Sequence, residues 1–165
     1  MKKLPILILL IIFTAAGTFY NPVIPQGLSE FSTADTLVQM ERTVCFGTCP
    51  AYTLSILKDG KVTFNGREFV DHKGIATGQM SQKNLDVLIQ RIRESHFMDV
   101  PSSPECESRY TDHSSVFLTV KLEDERNSVS HYLGCKGFQY EGELYELEEA
   151  IDSLAGVDKW VEGKD

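Results

Sequence analysis

The sequence predicts an α+β fold in which one antiparallel, twisted sheet of about five to six strands, built as a meander plus a hairpin, carries two helices on one face. Three observations predict it. Apolar and polar residues alternate over 52–64 and again over 116–133; helical spacing replaces that alternation over 82–95 and 143–155; and the turns between the alternating runs are short enough for antiparallel hairpins. No glycine-rich strand-to-helix turn suggests a nucleotide-binding fold. At 165 residues, 42% apolar and 24% charged, the chain fits a single compact domain, which we place at residues 39–162.

The elements follow in order. Met1-Lys2-Lys3, the apolar stretch Leu4 to Phe13 and the small residues Thr14-Ala15-Ala16 have the three regions of a secretory signal, with cleavage expected after Ala16. The alternative is an uncleaved N-terminal anchor, for which the run Leu4 to Tyr20 only marginally reaches the ~20 apolar residues a spanning helix needs. Residues 17–38 hold Pro22, Pro25, Gly27, Ser29 and Ser32 without a sustained apolar period, so they read as a flexible spacer.

A short edge strand is expected around Gln39 to Val44. Tyr52, Leu54 and Ile56 then alternate with Thr53 and Ser55, and Val62 and Phe64 with Thr63, across Asp59-Gly60. A two-residue turn there would put Ile56 and Val62 on opposite faces. A three-residue loop 58–60, with Gly60 left-handed, aligns Ile56 with Val62 and Leu54 with Phe64, and burial favours it. Asn65-Gly66 is a further turn signal, leading into a third meander strand over Arg67 to Asp71.

Ser81 is a good N-cap for a helix over 82–95, with Leu85, Leu88, Ile89 and Ile92 on one face, and Pro101 and Pro104 prevent its continuation. Val116, Leu118, Val120 and Leu122 form the inner face of a strand over 114–122. After the charged turn Glu123-Asp124-Glu125, Val129, His131 and Leu133 form that of its partner over 127–133. Leu144, Leu147, Ile151 and Leu154 mark a closing helix over 143–155 that Gly156 terminates, and Trp160 is expected to fold back as a latch. The acids Glu141, Glu143, Glu146, Glu148, Glu149 and Asp152 read as a solvated face with no compensating base.

Charge narrows the partners. The formal net charge is −8, and without the first sixteen residues fourteen basic residues face twenty-four acidic ones, a net −10. That argues against nucleic acid or an anionic membrane surface, leaving an envelope protein or a ligand as the partner and contact with a membrane only through an uncleaved N-terminal segment. No cofactor is implied.

Cys45, Cys49, Cys106 and Cys135 are an even set behind an export signal, so disulfides are their default state, with three pairings allowed. Phe46-Gly47-Thr48 before Pro50 can curl enough to let Cys45 reach Cys49, and a hairpin over 114–133 lets Cys106 reach Cys135 through its own loop. Connectivity stays open from the sequence. Besides structural bridges, Cys45 and Cys49 are candidates for redox or metal work, with His131 or His113 as accessory ligand, because soft thiolates suit Cu(I). Asp112-His113 with Ser114-Ser115 invites a triad reading, but Thr111 and Asp112 more simply make a side-chain turn into a strand, and no accompanying catalytic motif supports chemistry. No catalytic residue is assigned.

Two resemblances bear on these residues. Arg42-Thr43-Val44-Cys45-Phe46-Gly47-Thr48-Cys49-Pro50-Ala51-Tyr52, Lys58-Asp59-Gly60, Tyr110-Thr111-Asp112, Val129 to Cys135 and Leu147-Glu148 through Ile151-Asp152 to Trp160 resemble an uncharacterised bacterial family, domain of unknown function 6438, over about residues 38–162. That likeness implies an exported or envelope-associated bacterial domain and carries over no activity, cofactor or partner; with the N-terminal segment, the expected location is the periplasm or cell envelope, or the inner membrane if that segment stays as an anchor. Cys-x-x-x-Cys-Pro is also similar to the copper motif of Sco-type chaperones, but those have a thioredoxin-like fold, which the hairpin-rich order here does not match.

Overall fold

A computed structural model describes residues 35–162. The expected signal segment, 1–16, and most of the spacer lie outside the described residues. The described chain is α+β: a six-stranded antiparallel sheet, a second two-stranded sheet and three helices.

In chain order the strands are β1 (Thr36–Arg42), β2 (Ala51–Leu57), β3 (Lys61–Glu68), β4 (Gly74–Gln79), β5 (Ser108–Arg109), β6 (Ser115–Leu122), β7 (Glu125–Tyr132) and β8 (Cys135–Lys136). The helices are α1 (Gln82–Glu94), α2 (Glu141–Ala155) and the short α3 (Asp158–Val161). The large sheet has the order β4-β3-β2-β1-β6-β7, and β5 pairs with β8.

The first hairpin has the expected register. Ile56 faces Val62, Leu54 faces Phe64, and Gly60 closes the loop at φ +82°. Ser81 accepts from the Asn84 amide at the start of α1, and Gly156, at φ +66°, ends α2 by donating to the Asp152 and Ser153 carbonyls. Trp160 is buried on α3 and stacks on Phe64 at 5.0 Å between ring centroids. Leu85, Leu88 and Ile92 of α1 and Leu144, Leu147 and Ile151 of α2 join Val38, Met40, Leu54, Val62, Val116 and Leu118 in one core.

Three expectations need correction. The strand expected at the edge over 39–44 is β1 at the centre of the sheet, hydrogen-bonded to β2 on one side and β6 on the other, which is why Val38 and Met40 are fully buried. It also begins at Thr36, inside the segment read as spacer, with Leu37 buried. Asn65-Gly66 is no turn: β3 runs through it to Glu68, the chain reverses over 69–73, and the next strand is β4 over 74–79 instead of 67–71. Glycine stands at 66 because a Cβ there would lie 2.0 Å from the His72 carbonyl oxygen. A close backbone approach uses the same residue as a turn would, and dipeptide chemistry cannot tell the two apart.

Candidate functional site

The period-two faces of the central strands put one polar row into the interior. Val38, Met40 and Arg42 point to the same side of β1, and Arg42 pairs with Tyr52 on β2 and Val116 on β6, which in turn pairs with His131 on β7. Over this row lies α2, whose Leu144, Glu148 and Asp152 recur every fourth residue along one stripe. Two acids of this stripe, Glu148 and Asp152, therefore meet a tyrosine, an arginine and a histidine of the sheet.

At one end, Arg42 Nε donates to Asp152 Oδ2 at 2.8 Å and its Nη2 to Glu149 Oε1 at 3.0 Å. Burial works against the Arg42 cation, but Asp152, Tyr52, Glu148 and Glu149 outweigh it and hold the guanidinium above its ordinary range. Burial raises the carboxyl of Asp152 from 3.8 to about 6, because one guanidinium shared with Glu149 offsets only part of the desolvation. Tyr52, beside the same carboxylate, is likewise pushed up by burial and then by that charge. A cleft of about 220 Å³ opens here, lined by Arg42, Tyr52, Asp152 and Val157 and by Pro50 from the cysteine loop.

At the other end, Glu148 Oε1 meets His131 Nδ1 at 2.9 Å, with side-chain exposures of 0% and 1%. The ring edge of Phe138 packs on His131, 5.5 Å between centroids. Glu148 Oε2 and His131 Nε2 have no hydrogen-bond partner. A second cleft, of about 320 Å³, is lined by His131, Lys136, Glu141, Gly142 and Tyr145.

The cysteines form two bridges, Cys45–Cys49 with Cα atoms 5.6 Å apart and Cys106–Cys135 with Cα atoms 5.1 Å apart, and no free cysteine remains. The first closes a rim loop whose tip, Phe46, is 91% exposed. The second joins the approach to β5 to β8, beside Lys136 and the roof of the His131 cleft. Bridged cysteines of this kind fit an oxidising, extracytoplasmic environment. Among the described residues, no helix is long and apolar enough to cross a membrane, and no group of three or more His, Cys, Asp or Glu is arranged to hold a metal ion.

Of the two histidines considered as accessory ligands, only His113 is brought near the Cys45–Cys49 loop. Its turn is tied to that loop by the Phe46 amide donating to the Asp112 carbonyl at 3.1 Å. His113 is exposed, and its ring meets the edge of Tyr132 at 6.4 Å. The triad reading needed a carboxylate and a hydroxyl at that imidazole; Asp112 instead takes the Thr111 hydroxyl in a local turn. His131 points into the core against Glu148.

A family model described as a domain of unknown function, DUF6438, matches residues 36–155. The chain belongs to the DUF6438 family. No curated protein matches it. The matched span of this DUF6438 domain begins at the first residue of β1 and ends at the last residue of α2, so both bridges and the whole polar row lie inside it.

The acidic face of α2 needs correcting. Glu148 is fully buried, the Asp152 side chain is only 15% exposed, and Arg42 and Lys136 are the compensating bases, the latter 3.0 Å from Glu141. A signal was available: Arg42 extends the inward alternation of Val38 and Met40, and a buried guanidinium requires carboxylates. Glu148 and Asp152, four apart, are the pair that a helix can aim at it.

Proposed function

We propose that this DUF6438 domain is an exported, disulfide-stapled module of the bacterial envelope that binds or supports another envelope component without catalysing a reaction. The single observation behind this reading is that all four cysteines stand in bridging pairs, one closing the β1–β2 loop on itself and one tying a loop to β8, in a domain that already has its own apolar core. Bridges added to a formed core stiffen the loops at its rim, as a binding module requires. Crosslinking the full chain in its native envelope, followed by identification of the captured species and intact-mass analysis, tests the proposal. The expected result is one reproducible envelope partner and no free thiol. Four free thiols in the recovered protein, or a cytoplasmic location, would overturn it.

A second reading takes Cys45–Cys49 as a thiol–disulfide or Cu(I)-handling pair, favoured by its place on an exposed rim loop with Phe46 at the tip. Its reduction potential discriminates. A value below about −300 mV marks an inert bridge, and one near −120 to −200 mV marks redox work. Failure of the reduced protein to take up Cu(I) removes the metal branch.

A further inference from the structure

The two edges of the large sheet are finished differently. β7 is covered: Ser130 donates its amide to the Ser102 carbonyl at 2.8 Å, and the Asn127 side chain donates to the Phe97 and Val100 carbonyls, each at 2.8 Å. The opposite edge is β4, Gly74-Ile75-Ala76-Thr77-Gly78-Gln79, with no charge, no proline and no register shift against β3. Charges, prolines, bulges and covering loops are the devices that keep an edge from pairing with another chain, and β4 has none of the first three.

The direction of its free backbone groups follows from the register. The Met80 amide donates to the Gly60 carbonyl at 2.9 Å, which makes these two a hydrogen-bonded pair, and in an antiparallel ladder such pairs alternate with unbonded ones. Gly78, Ala76 and Gly74 are therefore bonded to β3, whereas Ile75, Thr77 and Gln79 turn their amides and carbonyls outward. Among the described residues only the Ile75 carbonyl of this row has a partner, Nε2 of the exposed His72 at 3.3 Å. The rest of the row is a template for a further strand.

The side chains along the edge define what that strand carries. Ala76 and Gly78 stand opposite buried Phe64 and Val62 and so face the helices, while Ile75, Thr77 and Gln79 face away from them, Ile75 at 72% exposure. On the helix side Lys159 of α3 lies over the strand: a Cβ on Gly78 would be 3.3 Å from its Nζ, which sits 4.2 Å from the centre of the Trp160 ring. Trp160 thus holds an exposed ammonium at the edge, and among the described residues no carboxylate pairs with it. A residue opposite Gly78 on an added strand points to that side and meets the ammonium; one opposite Ile75 meets an aliphatic side chain. A second copy of the chain fits poorly. Pairing β4 with itself about Thr77 sets Ala76 opposite Gly78, supplies no carboxylate there and brings two Lys159 ammoniums onto one face.

We propose that the β4 edge accepts an extended segment of another protein as a seventh strand of the sheet, one that sets an aspartate or glutamate beside Lys159 and, three residues away, an aliphatic side chain beside Ile75. Backbone bonds to Ile75, Thr77 and Gln79 hold the segment, and the two side-chain contacts select it. The proposal deepens the binding-module reading and rests on it, but its test is independent of where the protein resides and of the state of its cysteines outside the tube.

The experiment is hydrogen exchange at individual amides of the full, oxidised chain, with and without millimolar acetyl-Thr-Glu-Thr-Ala-Val-Thr-amide. Run antiparallel, this peptide puts its glutamate opposite Gly78 and its valine opposite Ile75. The amides of Ile75, Thr77 and Gln79 should slow by about ten-fold or more, while those of Ala76 and Gly78, already bonded to β3, should change little. Lysine in place of the peptide's glutamate should weaken binding by about five-fold or more, and Lys159→Glu should reverse that preference. N-methylation of the middle threonine, whose amide faces β4, should abolish binding, and N-methylation of the alanine, whose amide faces away, should not. Thr77→Pro removes only an outward amide, so it should keep the fold and lose the peptide. The proposal is overturned if the three outward amides do not slow, if the lysine peptide binds as well as the glutamate peptide, or if the two methylated peptides bind alike. It is also overturned if the row slows with rising protein concentration alone, which would give the edge to a second copy.

Discussion

The two bridged regions of the domain use the same bond for different ends. Cys45–Cys49 joins residues four apart in sequence and curls a rim loop whose phenylalanine faces solvent. Cys106–Cys135 joins residues twenty-nine apart, with Cys135 buried, and fastens a segment that touches the interior through Phe138 and His131. Around the second bridge the backbone is crowded: a Cβ on Gly134 would lie 2.2 Å from the Tyr110 carbonyl oxygen, and one on Gly137 would lie 2.6 Å from a Glu107 carboxylate oxygen. A Cβ on Gly47, inside the first loop, would meet only Cys45 Sγ, at 3.5 Å. One region is built inward and the other outward, so substitutions should weigh on stability in the first and on surface contacts in the second.

The sharpest way to break this comparison is Glu148→Ala. It strands buried His131 without its partner, and the loss should be about 3 to 5 kcal/mol in urea denaturation. A smaller loss would mean that the pair adds little to the inward region. Replacing both Cys106 and Cys135 by serine should cost about 3.6 kcal/mol by the chain-entropy relation and expose the 104–113 segment to protease.

The Arg42 end of the polar row supplies a pH test. Asp152 has a folded-state value raised from 3.8 to about 6, so its contribution is complete below about 4 and is lost as the pH rises to about 6. The wild-type stability should therefore fall across that window relative to Asp152→Asn, by on the order of 2 to 3 kcal/mol. Two parallel pH profiles would refute this. Serine at both Cys45 and Cys49 should cost about 2 kcal/mol for the much shorter loop, leaving the core intact by amide exchange. Smallest of all, Phe46→Ser should stay within about 0.5 kcal/mol of wild type while weakening any partner bound at that rim.

How much of this was legible depended on how local the cause was. The register of the β2–β3 hairpin could be read from Ile56, Val62 and Gly60 because a shift by one residue turns every side chain to the wrong face. The start of α1 followed from Ser81, and the end of α2 from Gly156. The candidate site was half legible: His131 stood out in an apolar alternation, but Glu148 was hidden among five other acids on the same stretch. Helical periodicity reports the width of an apolar stripe, and a carboxylate at its border reads as solvated until its partner is known.

The sequence by itself determined the local choices: which stretches alternate, where helices start and stop, and that the cysteines are an even set of four. Only the tertiary structure decided that β1 lies at the centre, that Gly66 serves a close approach and not a turn, and that Arg42, Glu148, Asp152 and His131 share one interior seam. The physical reason is range. Propensities, caps and turns act over a few residues, whereas Arg42 and Asp152 are 110 positions apart, and no local rule reports that burial will force them together.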